Sequence, residues 1–250
     1  MRGRRSRCGA SWPLHPCGEV PCRVPRSRRW ITRQDLGLKK LSPAGFRVGR
    51  VTDFLADISS SYDNVAVSYA ELVVTGADWE DAAFDLLTEL LPGDSRAVLD
   101  VGCGPGRTTG LLAARELQVV GIDLSPGMIE VARRDRPELS FRVGSMTALD
   151  VPDDSVAGVV SWWSIIHLPR DVVPQAFAEF HRVLANGGVL LMGFHVGEES
   201  THKTSGYGGH PMNIYVHRWT APALTEIAVA AGFTPYLDPE IPEDRLFFRK

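Results

Sequence analysis

The run VLDVGCGPGRTT at residues 98–109 decides the fold. Its apolar lead, Ala97–Val101, reads as a buried strand, and its end opens a helix expected over 107–115. Between the two, Gly102, Gly104 and Gly106 let the backbone turn tightly and let a ligand approach without meeting a Cβ, and the helix that follows offers free N–H groups. A nucleotide-like ligand is implied. The dinucleotide fingerprint G-x-G-x-x-G needs a small residue at position 107, where Arg107 stands. The loop is instead G-x-G-x-G preceded by an acid, Asp100.

Downstream, the strand expected over 118–122 runs into Asp123, 21 residues after Gly102. A carboxylate at that point can accept hydrogen bonds from both hydroxyls of a ribose. A regular alternation continues: helix 126–134 with Ser125 as N-cap and Pro126 at its first position, strand 139–143, strand Val156–Trp162, helix 171–184. Then come strand 188–194 after Asn186-Gly187-Gly188, helix 220–231 capped by Gly232, and terminal strands near Thr234–Leu237 and 246–249. Upstream, DWEDAAFDLLTELL at 78–91 has the apolar spacing of an amphipathic helix. Strands at such intervals, with helices between, predict an α/β protein with a doubly wound, seven-stranded, mostly parallel sheet. Ligands then bind beyond the carboxyl ends of the strands.

Charge divides the chain in two. Residues 1–50 hold 13 Lys and Arg against 2 acids, and residues 51–250 hold 14 against 28. The first part, with Pro13, Pro16, Pro21, Pro25 and Pro43 and no sustained period, is expected to be a disordered basic extension; four prolines within 13 residues oppose the amphipathic helix of a transit peptide. The acidic body at 51–250 is expected to be one domain with a small-molecule partner, because nucleic-acid affinity needs clustered positive charge. Three of the four cysteines (Cys8, Cys17, Cys22) fall in the extension and leave the body only Cys103, so neither a disulfide framework nor, at x8 and x4 spacing, a metal set is expected. No apolar stretch approaches the ~20 residues of a bilayer span. A cytoplasmic protein without membrane attachment is expected.

VLDVGCGPGRTT (98–109), GIDLSPGMIEVAR (121–133), FRVGSMTALDVPDDSVAGVVSWWSIIHL (141–168) and HRVLANGGVLLMGF (181–194) together resemble the four successive motif regions of class I S-adenosylmethionine-dependent methyltransferases. YDNVAVSYAELV (62–73) is similar to the Tyr-Asp-x-x-Ala segment of the small-molecule branch. The resemblance covers about 62–250 and implies a Rossmann-like methyltransferase fold with S-adenosyl-L-methionine as cofactor. It implies that Asp100, Gly102, Gly104 and Gly106 surround the methionine part, that Asp123 holds the ribose, and that Leu124 and Met128 pack on the adenine. Ser145 and Met146 stand where the family commonly shows an acid before an apolar residue, so a hydroxyl replaces the charge there. Trp162 is placed beside the sulfonium, where an aromatic face favours positive charge. Tyr62 and Tyr69 are placed to close over the methionine end.

Methyl transfer from a sulfonium is an in-line displacement on an electrophile already activated, so approach geometry and exclusion of water matter most. An O or N acceptor also profits from a base, and histidine has the suitable intrinsic pKa. His167 follows the fourth strand, and His195 and His210 belong to a stretch between strand 188–194 and helix 220–231 too long for an ordinary connection. Residues of about 196–218 are therefore expected to be a substrate lid, with His167, His195 or His210 as base. Three other readings stay open: an RNA methyltransferase anchored by the basic arm, a protein that binds the cofactor without methyl transfer, and an NAD dehydrogenase, which Arg107 disfavours.

Overall fold

The computed structural model of the chain describes residues 28–31, 52–73, 78–93, 97–238 and 240–250. A two-residue strand β1 (Arg29–Trp30) is followed by helices α1 (Thr52–Leu72) and α2 (Asp78–Leu90). The alternation then runs β2 (Ala97–Val101), α3 (Arg107–Ala113), β3 (Gln118–Asp123), α4 (Pro126–Asp135), β4 (Ser140–Val143), β5 (Val156–Trp162), α5 (Val173–Val183) and β6 (Leu184–Gly193). A hairpin of β7 (Ser200–Gly206) and β8 (His210–His217) precedes α6 (Ala221–Ala230), β9 (Thr234–Leu237) and β10 (Arg245–Arg249).

The large sheet has the order β1-β9-β10-β6-β5-β2-β3-β4, with β6 through β4 parallel and β10, β9 and β1 antiparallel to their neighbours. From β2 the chain winds outward through β3 to β4, then returns to lay β5 on the other side of β2. The loops after β2 and β5 therefore diverge, and the crevice between them is the natural ligand site. Side chains alternate across the sheet: Leu99, Val159, Leu190 and Phe248 enter the core beneath α5 and α6, while Val98, Val160, Leu191 and Phe247 enter the core beneath α2. Each buried Phe or Leu contributes roughly 1.5–3 kcal/mol of transfer free energy.

The helix starts obey local chemistry. Ser125 Oγ accepts the Met128 N–H at 3.0 Å with Pro126 behind it, and Thr220 caps α6 through the Ala223 N–H.

Three expectations are corrected. The sheet gains an eighth strand, because residues 29–30 pair with β9 at its edge; Trp30 stacks on Tyr236 at 4.8 Å and Ile31 is buried. That part of residues 1–50 is ordered, its apolar side chains covering an otherwise open edge; the rest of the extension lies outside the described residues. The strand after α5 begins at Leu184 instead of 188, since a register shift in its pairing with β5 absorbs the Asn186-Gly187-Gly188 turn within the strand. The stretch of about 196–218, expected as a long connecting loop, instead contains a β-hairpin, held against α1 by the Asn213 N–H donating to Ser61 Oγ at 2.7 Å.

Candidate active site

The glycine loop folds back on the end of β3. The Gly102 N–H donates to the Ile122 carbonyl at 2.7 Å, and a Cβ on Gly102 would lie 2.2 Å from that of Ser164. The Gly104 N–H donates to Asp123 Oδ2 at 2.8 Å, and the Ser125 N–H donates to Oδ1 at 2.9 Å. Burial raises the Asp123 pKa, and these amide donors offset part of the rise. Each carboxylate oxygen keeps a further lone pair for a ligand hydroxyl.

Asp100 and Gly106, which the resemblance places around the methionine part, are both buried. Asp100 is fully buried, accepts the Thr109 hydroxyl at 2.7 Å on Oδ2 and has no hydrogen-bond partner on Oδ1; burial lifts its pKa to about 7. It stands behind the loop and supports it. Gly106, at φ 80°, allows the start of α3 to press on Phe141, which would lie 2.7 Å from an added Cβ.

The other predicted cofactor residues converge on one cavity. Tyr62 and Tyr69 from α1, Leu124 and Met128 around the start of α4, Ser145 and Met146 after β4, and Trp162 at the end of β5 line it together with Gly102, Gly104 and Asp123. The Ser145 hydroxyl lies 2.8 Å from Thr147 Oγ1 and accepts the Thr147 N–H, so a local turn holds it. An added Cβ at Gly104 (φ 55°) would meet no atom within 4 Å, so the loop turns an open backbone face outward as a ligand cradle requires. With the lone pairs of Asp123 and the face of Trp162, the residues present fit a nucleoside with a cationic tail.

A second cavity of about 1070 Å³ lies beneath the hairpin and shares Tyr62, Tyr69, Gly102, Gly104, Trp162, Trp163 and His167 with the first. This shared wall makes the two a continuous site of the size usual for small-molecule ligands. Here the Tyr62 hydroxyl lies 2.7 Å from His167 Nε2, and His167 Nδ1 lies 3.0 Å from the Tyr215 carbonyl. Burial lowers the His167 pKa to about 4, so the ring is neutral. His195 lines this cavity with its ring 6.4 Å from that of Trp163, and its pKa is lowered by burial and then by Arg218 and Lys203. His210 is exposed at the start of β8 and lines neither cavity.

Sequence reasoning missed several contributors. Glu80 of α2 is buried, forms a bidentate pair with Arg107 at 2.5 and 2.6 Å, and accepts the Trp162 indole N–H at 3.0 Å. Arg107, notable from sequence only for spoiling a dinucleotide fingerprint, thus anchors the aromatic wall. Asp63 accepts the Ser125 hydroxyl at 2.6 Å and the Gly127 N–H at 2.7 Å, binding α1 to the start of α4. Its neighbour Tyr62 was legible, but nothing local shows where Asp63 reaches. Trp163 holds φ 51°, a strained conformation for a bulky residue, between Trp162 and His195.

Fold and site together define a doubly wound α/β protein with a nucleoside pocket at the switch point and a contiguous small-molecule cavity. Residues 98–188 match the family model described as a methyltransferase domain. The chain is 32% identical over 143 residues to a demethylmenaquinone methyltransferase of Symbiobacterium thermophilum, covering 52% of this chain and 55% of that protein. It is 34% identical over 133 residues to a trans-aconitate 2-methyltransferase of Methylobacterium radiotolerans, covering 46% and 49%. The chain thus spans about half the length of these curated relatives. Among solved structures, the Burkholderia thailandensis 1,6-didemethyltoxoflavin-N1-methyltransferase superposes with a TM-score of 0.61 at 20% identity, covering 84% of this chain and 94% of that one, a likeness of fold. Residues 98–188 thus match a methyltransferase domain, and the chain as a whole is similar to S-adenosylmethionine-dependent methyltransferases in sequence and fold.

Proposed function

We propose that this chain transfers a methyl group from S-adenosyl-L-methionine to an O, N or C atom of a small-molecule acceptor seated beneath the hairpin. The observation that carries this reading is the wall common to both cavities, Tyr62, Gly102, Trp162 and His167, across which two ligands would face each other. The bound cofactor supplies a methyl group made electrophilic by its sulfonium. In this reading Asp123 and the backbone of Gly104 hold the ribose side, Leu124, Met128 and Met146 pack on the base, and Ser145 stands near its amine. Trp162, with its indole N–H fixed by Glu80, presents a π face to positive charge. Tyr69 helps exclude water.

For a protic acceptor the proton goes to His195, whose ring makes no side-chain hydrogen bond among the described residues and lines the acceptor cavity. His167 serves as a positioning residue, since both its ring nitrogens are engaged; a proton could reach it only through the Tyr62 hydroxyl. A cytoplasmic setting accords with the described helices, none of which is long and apolar enough to cross a membrane.

Isothermal titration with S-adenosylmethionine, S-adenosylhomocysteine and NAD tests the reading. Binding of the first two without NAD is expected; NAD binding without them overturns it. Product masses from candidate acceptors then identify the methylated atom.

A further inference from the structure

The wall of the larger cavity carries more positive charge than it neutralises. Two of its cations are matched locally: Arg107 by Glu80, and Arg245 by Asp244, whose Oδ1 lies 3.4 Å from the guanidinium. Lys203 is not, and Arg218 is matched only by an acid outside the cavity wall. Lys203 makes no ion pair among the described residues, its ammonium lying 5.8 Å from the centre of the Tyr207 ring. Arg218 pairs at 3.0 Å with Glu199, a side chain 65% exposed that lies outside the cavity wall.

The hairpin aims Lys203 inward by the period of a strand. Thr201 and Lys203 of β7 stand directly opposite Val216 and Ile214 of β8, and all four line the cavity. The charge is also felt at the histidines. After burial, Arg218 and Lys203 lower the His195 pKa, and Lys203 contributes to lowering that of His167. A recessed site with low-dielectric walls and unneutralised charge concentrates ligands of the opposite sign. A guanidinium and an ammonium lining one cavity offer it donors suited to a planar or tetrahedral oxyanion.

We propose that the acceptor is an organic oxyanion, a carboxylate or phosphate ester, whose charged group is held by Lys203 and Arg218 beneath the hairpin. This rests on the methyl-transfer reading and adds the class of acceptor. The acceptor's reacting atom then faces the Tyr62–Trp162 wall. The anionic group is a handle, so the chemistry at the methylated atom is unchanged.

The test uses the full chain loaded with S-adenosylhomocysteine and matched probes: benzoate against benzamide, succinate against succinamide, and phenyl phosphate against phenol. Titration calorimetry is expected to show at least one anion of a pair bound about tenfold or more tightly than its neutral partner, as charge-assisted hydrogen bonds require. The arms separate carboxylate from phosphate. Lys203→Met and Arg218→Gln, each at an exposed or half-exposed side chain, should abolish that preference while leaving S-adenosylhomocysteine affinity unchanged. No preference in any pair, or a preference untouched by both substitutions, overturns the proposal. Failure to bind S-adenosylhomocysteine at all strikes the methyl-transfer reading instead.

Discussion

The Tyr62 hydroxyl donates to His167 Nε2 across 2.7 Å, although the two residues are 105 positions apart. The direction follows from the other side of the ring. His167 Nδ1 lies 3.0 Å from the Tyr215 carbonyl, which can only accept, so Nδ1 carries the proton and Nε2 must receive one. One neutral imidazole therefore ties together α1, the turn after β5 and the hairpin, the three elements that wall the site.

Such a histidine leaves a signature in stability. Its pKa is about 4 in the folded chain against 6.5 ordinarily, so between those values the unfolded state binds the proton and the folded state does not. Stability is expected to be insensitive to this group above about pH 7 and to fall as pH drops through 6.5 toward 4. His167→Gln, which cannot titrate, should show a shallower fall in urea unfolding over that range. Parallel curves for both proteins would refute the assignment.

Gly104→Ala and Gly106→Ala should fail in different ways. At Gly104 an added methyl group meets no protein atom, so the fold should survive with about 1 kcal/mol of left-handed strain while S-adenosylhomocysteine affinity drops at least about tenfold. At Gly106 the methyl group meets Phe141 at 2.7 Å, so thermal stability should drop first. Thermal melts with and without S-adenosylhomocysteine distinguish the two.

Glu80→Ala would leave the Arg107 guanidinium, which is 20% exposed, without its carboxylate partner. Removing one partner of a buried pair costs about 3 kcal/mol or more. Because the Trp162 indole loses an acceptor at the same time, its fluorescence should shift together with the unfolding midpoint. A midpoint that moves without any change in emission would dissociate Glu80 from the aromatic wall.

Removing residues 1–50 deletes Trp30, over whose ring the Arg249 guanidinium lies at 4.1 Å, and uncovers β9. A lower melting temperature with unchanged S-adenosylhomocysteine affinity is expected, since β1 lies at the edge of the sheet with four strands between it and β2. Calorimetry of the shortened chain decides this, and a large loss of affinity would place part of the extension over the pocket.

Much of the site was legible because its chemistry is local. The Gly102–Gly104 turn, the carboxylate at Asp123 and the cap at Ser125 lie within a strand–loop–helix–strand unit, where spacing alone sets which groups meet. Gly106 and Asp100 belong to the same unit and line neither cavity, since a motif shows that a backbone must bend and not which face of the bend meets the ligand. A hairpin read as a loop gives no alternation, and alternation is what brings Lys203 to the cavity side.

The sequence by itself determined the doubly wound order of strands and helices, the glycine loop and its acidic follower, and the family resemblance they carry, because periodicity and turn chemistry act over a few neighbouring residues. Only the tertiary structure decided which polar groups meet: Glu80 with Trp162 across 82 positions, Tyr62 with His167 across 105, Ser61 with Asn213 across 152. Hydrophobic patterning states which face of an element is buried and is silent on what it is buried against. Partners so distant in the chain are chosen when the sheet order and the packing of α1, α2 and the hairpin bring their elements together.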